Sequence, residues 1–360
     1  MSILWICITE GIQYLCKTGN AERFWHRCME VNVLYTKFFQ SISGHHLYSS
    51  VHNIPYLPEE FCPTLPVKQV LGSGFISIVY ESELEGQTVV VKTKRYRIED
   101  TLENSIASLQ WYLDTIHRWY KIPTILLAFE EMKHGLLVQL DYIQEVKNHK
   151  HYQSVCDYSF IRTPTLLEEH CNESQIVMTK LEGIPISSLS KEKLQKHVWN
   201  LTEMMIHMLT QKGCVHGDLH LGNMMFQEDT LGILDFGFII VLTKEEREHM
   251  FELVKGLLLR DYVKAATHTL FFIQGELTPS QKENIMVYII HVYQKSMELN
   301  HCFSVYNIYE LNTKLSKYNT HFHSLFYKII MALHSVETLI CKISNPDDLA
   351  GQLLILLCQE

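Results

Sequence analysis

Residues 215–223, VHGDLHLGN, set Asp218 between two histidines and Asn223 five positions after the aspartate. A little further on, LDFG places Asp235 after a short apolar run. An aspartate and an asparagine at D-x-x-x-x-N spacing, followed by DFG, meet the needs of phosphoryl transfer from a nucleotide. One carboxylate takes or orients the acceptor's proton. An amide oxygen and a second carboxylate hold magnesium, a hard cation that prefers few protein oxygens plus phosphate and water. Asp218 is the candidate catalytic group, and Asn223 and Asp235 are the candidate metal ligands. Cys214, His216, Asp218 and His220 also alternate, and zinc uses such residues. Alternation and the i, i+4 spacing of the histidines, however, demand different secondary structures to converge. His216 reads better as a brace for the loop through its ring nitrogens, whereas His220 is open to either the site or solvent.

Three upstream pieces supply the other half of such chemistry. GSGFIS at 72–77 offers Gly72, Ser73, Gly74 and Ser77 as a small-residue loop whose backbone N–H groups can approach phosphate oxygens. VVVK ends a strand-like run on Lys92, a candidate phosphate contact. QLDYIQEVKN carries Asp141 and Glu145 at i and i+4, on one face of a helix, with Glu145 the candidate partner of Lys92. Taken singly, a tight hairpin, a strand-end lysine and a solvated acidic face explain these pieces as well. Their order along the chain, ahead of Asp218, is what makes a site of them.

The elements that must position these groups follow from local pattern. VKQVLGSGFISIVYESELEGQTVVVKTKR reads as strand, Gly-rich turn, strand, turn at EGQ, and strand. Residues 104–155 are helical in texture, with a strand expected at FEEMKHGLLVQL; SQIVMTKLEGIPI is a short strand ending in a Gly/Pro break, and 190–212 is helical again. MMFQEDTLGILDFG fits a hairpin around EDT that returns Asp235 beside Asn223. Thr243 with Glu246 three residues later is a capping-box pattern that opens a helix, and helical texture continues to the end. The expectation is an α+β, bilobal protein-kinase-like fold: a helical extension over 1–66, a strand-rich N-lobe over 67–183 and a helical C-lobe over 184–360.

Composition narrows the function classes. The net charge is −9 and the only short basic run is KTKRYR at 92–97, which disfavours nucleic acid as a partner. Ten cysteines are scattered without a CxxC pair, against a zinc ribbon or a disulfide framework and in keeping with a reducing compartment. The apolar start lacks a basic n-region and a small-residue cleavage site, and Glu10 interrupts it. The sequence reading is an intracellular protein without a membrane span, with peripheral membrane or organelle association left open.

The motif order resembles the ADCK/UbiB family of atypical protein-kinase-like ATPases, linked to ubiquinone biosynthesis and lipid homeostasis. YTKFFQSIS followed by LPEEF is similar to that family's KxGQ helix and the link after it, and QLDYIQEVKN resembles its ExD segment and following helix glutamate. The resemblance implies ATP and Mg2+ as cofactors, with Lys92 on the phosphates, Glu145 paired to it, Asp218 catalytic, and Asn223 and Asp235 holding the metal. It also implies a small or lipid-like acceptor and an inhibitory helix carrying Lys37 and Gln40. Phe39 stands where the KxGQ glycine belongs and Gln139 where the ExD glutamate belongs, so substrate exclusion differs from the family pattern. Gly217 replaces the arginine of many protein kinases, and no APE sequence follows DFG, so activation-loop phosphorylation is not expected. HGDLHLGN also resembles aminoglycoside and choline kinases, which lack the KxGQ-like and QLDYIQEVKN segments. A nucleotide-binding pseudokinase scaffold is the reading from another functional class.

Overall fold

Alternating β-branched and polar residues build the first sheet of the computed structural model, which describes Leu34, Ile54 and residues 56–120, 123–298 and 305–343. The segment with Lys37, Phe39 and Gln40, and most of the expected helical extension, lie outside the described residues. Strands β1 (Gln69–Ser73), β2 (Ser77–Leu84) and β3 (Gln87–Lys94) form an antiparallel meander. The β2–β3 turn is Glu85–Gly86 with φ of 50° and 81°, the left-handed pair that a two-residue hairpin requires and that glycine adopts without strain. Ile78, Tyr80, Val89 and Val91 point to the buried face, as period-two alternation demands.

Helix α1 (Ile98–Tyr120) follows, with Ile98, Leu102, Ile106, Leu109 and Leu113 forming one buried stripe. Each such side chain contributes about 1.5–3 kcal/mol when fully buried. The stretch expected as a strand at FEEMKHGLLVQL instead lies mostly in helix α2 (Pro123–Val138). Phe129 and Leu136 are buried and Met132 is packed beside them, a three- and four-residue spacing that a strand would scatter over two faces. Proline at the first helical position and the Leu, Met, Glu and Lys content favour the same outcome.

Helix α3 (Tyr142–Val155) starts at Asp141, whose carboxylate accepts the Gln144 N–H at 2.8 Å. The expected helix is there, but Asp141 serves it as N-cap. Strands β4 (Ile161–Arg162) and β5 (Gln175–Thr179) come next, β5 completing the sheet in the order β1-β2-β3-β5. Helix α4 (Lys191–His207) leads through a π-helical turn, Met208–Lys212, into β6 (Cys214–His216). The expected hairpin is present as β7 (Met224–Phe226) and β8 (Leu231–Ile233). Strand β9 (Ile239–Val241) pairs antiparallel with β6. Helix α5 (Lys244–Leu258) begins with the predicted capping box, Thr243 Oγ1 accepting from Glu246 N and Glu246 Oε2 accepting from Thr243 N. Helices over Tyr262–Thr269, Pro279–Glu298, Val305–Leu315 and Ser324–Ile343 follow.

The α+β class therefore holds. The chain divides into one unit of Met1–Leu140 with Asn172–Val177 and a second of Asp141–Cys171 with Met178–Glu360. Strands β1 to β3, the start of β5, and helices α1 and α2 belong to the first. Helix α3 and every element from α4 onward belong to the second.

Candidate functional site

In the first unit, strand register decides which side chains share a face. Gly72 pairs with Val79, and Val79 pairs with Lys92. Directly opposed residues point to the same side of a sheet, so Gly72 and Lys92 sit in one cross-strand row on the less buried face. Ser73, Ile78 and Thr93 form the neighbouring row on the buried face. The Gly-rich turn is closed by Gly74 N–H donating to Ser77 O at 2.8 Å. Arg95 then fixes it from below: Nε donates to Gly74 O at 3.0 Å and Nη2 to Ser73 Oγ at 2.9 Å. Arg95 also pairs with Glu60 at 3.1 Å, and burial pulls its guanidinium pKa down while Glu60 opposes that shift. Of the four proposed phosphate-loop residues, Ser73 Oγ and Gly74 N–H thus already serve the turn itself. Sequence reasoning registered Arg95 only as part of a basic run, because its buried bonding depends on three separated segments.

The second unit gathers Glu145, Asp218, Asn223 and Asp235. Strands β6 and β9 hold the two ends of the opening motif and the DFG segment together, with His216 opposite Ile239 and Gly217 N–H donating to Phe238 O at 2.8 Å. His216 is the brace that its position suggested. Its Nδ1 accepts the Asp218 N–H at 3.2 Å, so the ring proton sits on Nε2, which donates to Asp235 O at 2.6 Å. Burial lowers the His216 pKa, against the pull of the Asp235 carbonyl and the Asp218 charge, which keeps this neutral tautomer.

The β7–β8 hairpin returns the chain as expected: Leu234 N–H donates to Asn223 O at 3.0 Å, one residue before Asp235. Asn223 Nδ2 donates to Asp218 O at 3.0 Å, leaving its Oδ1 as the acceptor end. Asp235 Oδ1 accepts the Gly237 N–H at 2.9 Å. A Cβ at Gly237 would lie 3.2 Å from that Oδ1 and 3.3 Å from Glu145 Oε2, so the two carboxylates border the same glycine. Glu145 is buried, a state that a carboxylate tolerates only when its charge is compensated. Asp218 remains half-exposed, with His220 Nε2 3.7 Å from its Oδ2. His220 Nδ1 caps the turn Leu221–Asn223 by accepting the Gly222 N–H at 3.0 Å. His220 therefore faces the aspartate.

These donors fit a hard cation. Asn223 Oδ1 and the Asp235 carboxylate are oxygens of the kind that magnesium takes beside phosphate and water. The zinc reading does not fit. Both ring nitrogens of His216 are engaged, and burial pushes the Cys214 thiol up to about 12, away from the thiolate that zinc needs. Among the described residues, no group of three His, Cys, Asp or Glu side chains is placed to hold a metal ion.

Gly217 is required by close approach. A Cβ there would clash with the side of the Phe238 ring, 2.6 Å from Cε1 and 2.9 Å from Cγ. Gly217→Ala is expected to lower stability by about 1–3 kcal/mol, the usual cost of overpacking. Denaturant unfolding measures it, and an unchanged midpoint would show that Phe238 moves aside freely. The glycine stands at the position where many protein kinases carry an arginine, and α5 begins soon after β9, which leaves no long activation loop.

Residues 67–269 match the family of the ABC1 atypical kinase-like domain. A protein of Clostridium pasteurianum described as an uncharacterized protein in the hydrogenase 1 5′ region is 28% identical over 211 residues, 55% of this chain and 39% of that protein. AarF domain-containing protein kinase 1 of Xenopus laevis is 24% identical over 225 residues, covering 59% of this chain and 43% of that one. The probable protein kinase UbiB of Aeromonas hydrophila is 24% identical over 214 residues, 54% and 39% of the respective chains. The matches thus span about two-fifths of the length of these relatives. Among solved structures, the Rv3197–erythromycin complex of Mycobacterium tuberculosis superposes with a TM-score of 0.52 at 14% identity. That superposition covers 98% of this chain and 94% of the other, a likeness of fold.

Proposed function

The chain belongs to the ABC1 atypical kinase-like family, which includes the UbiB and AarF-domain kinases, and on that footing we propose that it is a magnesium-dependent ATP-binding kinase or ATPase. The observation that carries the reading is the gathering of Asp218, Asn223, Asp235 and Glu145 in one compact unit, tied by His216 to both the opening motif and the DFG turn. Asn223 and Asp235 would hold Mg2+, which when bound neutralises phosphate charge and orients the terminal phosphoryl group. Asp218, half-exposed and steadied by His220, takes or orients the proton of the acceptor hydroxyl or of water. In this reading Lys92 and the Gly72 row would supply cation and backbone to the phosphates, with Glu145 as the carboxylate that the family resemblance pairs with such a lysine. Strand β9 and helix α5 follow DFG almost at once, and that short segment suits a site that works without phosphorylation of a loop. The acceptor in this reading is a small or lipid-like molecule.

Titration with ATP in the presence and absence of Mg2+ tests this, read by thermal midpoint and phosphate release. The expected result is a Mg2+-dependent rise in midpoint with slow turnover. Binding without turnover would favour a nucleotide-dependent scaffold, and no response to nucleotide or metal would sink both readings.

A further inference from the structure

Helix α3 carries more than Glu145 to the metal-holding turn. Asn148 Nδ2 donates to Phe236 O at 3.1 Å. Its Oδ1 accepts from Gln144 Nε2 at 2.9 Å, which fixes the way the amide faces. One residue later, His149 stacks on the Phe236 ring, with centroids 4.0 Å apart and planes 14° from parallel. Tyr152 touches the same ring at 5.4 Å, and Phe236 is fully buried.

The carbonyl that Asn148 holds and the Gly237 N–H that Asp235 Oδ1 accepts belong to one peptide unit. That unit is planar and turns as a rigid body. Asn148 on its carbonyl end therefore sets the direction of the N–H on its other end, and with it the carboxylate that the N–H anchors. A flip of this peptide would break both hydrogen bonds at once. His149 resists the flip from the side by pinning the ring on the same residue.

We propose that Asn148 is a positioning residue for Asp235. Through the Phe236–Gly237 peptide it holds Oδ1 in place and so sets the direction of the whole carboxylate. The proposal rests on Asp235 being a metal ligand, and it ties α3 and the DFG turn into one block, so that Glu145 and Asp235 are set together. Nothing in the sequence pattern singles out Asn148, which sits in a polar helix among other amides.

Asn148→Asp keeps the shape and removes the donor, placing a carboxylate against a carbonyl. Gln144→Ala, on an exposed position, only releases the amide and spares folding. In wild type, the Gly237 amide is expected to be protected from hydrogen exchange. Both variants should speed its exchange relative to the β7–β8 hairpin, Asn148→Asp more strongly. The Mg2+ concentration for half-maximal turnover should rise by about 10–100-fold in Asn148→Asp, the usual cost of losing an outer-shell partner, and saturating Mg2+ should restore turnover. Unchanged Gly237 exchange overturns the proposal, as does a loss of turnover that no Mg2+ concentration restores in a folded variant. If wild type itself shows no Mg2+-dependent turnover, the kinase reading fails, while the exchange comparison still decides whether Asn148 orients the peptide.

Discussion

Replacing Asp235 by asparagine is expected to abolish Mg2+-dependent turnover, a loss beyond the about 10–100-fold that outer-shell partners cost. The substitution keeps the oxygen that can accept from Gly237 N–H, now at 2.9 Å, but it removes the negative charge that a hard divalent cation demands. The thermal response to Mg2+ with ATP should vanish with it. Asp218→Asn is the informative partner. Its main-chain contacts to His216 and Asn223 use the backbone, so the loop persists, and nucleotide binding should survive while turnover falls. Turnover and thermal shift over a Mg2+ series separate the two. A wild-type Mg2+ response in Asp235→Asn would remove that residue from the metal site.

The second large effect is on stability in acid. His149 lies buried against Phe236, and burial holds its pKa at about 4 against an ordinary 6.5, with a Pro164 carbonyl pulling the other way. Between those values the unfolded chain binds a proton that the folded chain refuses. Stability from this group is complete above about pH 6.5 and declines as pH falls toward 4, by about 3 kcal/mol in total at about 1.4 kcal/mol per pKa unit. His216 is shifted in the same direction by burial and adds to the slope. His149→Phe keeps an aromatic ring on Phe236 and removes the titration. Urea unfolding at pH 7 and at pH 4.5 should show the variant losing markedly less stability than wild type. Parallel losses would mean that His149 stays neutral in the unfolded chain as well, or charges without cost in the folded one.

The first expectation starts from residues that pattern alone could find, and the second, at His149, does not. D-x-x-x-x-N and DFG are local spacings, and a hairpin between them is a local event, so Asn223 and Asp235 were legible as neighbours before any fold was known. The same holds for the β2–β3 hairpin that carries Lys92, because a two-residue turn and period-two alternation fix its register without outside help. A bulge between Val70 and Gly72, by contrast, is what brings Gly72 into the same row. The helix over Pro123–Val138 shows the opposite case. A short apolar run reads equally as a strand or a helix segment, and only the burial of Phe129 and Leu136 against α1 settles it.

By itself, then, the sequence singled out the candidates: an aspartate for catalysis, two oxygen ligands for a hard cation, a lysine on a strand, and the kinase-like order in which they come. It also determined the capping box at Thr243 and the absence of room for a long activation loop. The tertiary structure alone decided how those groups are held. Arg95 under the Gly-rich turn, His216 in its neutral tautomer, and Asn148 and His149 on Phe236 each work through contacts with distant segments. Spacing along a chain encodes which residues share a turn or a face. It does not encode which side chains meet when a helix packs on a loop 88 residues away.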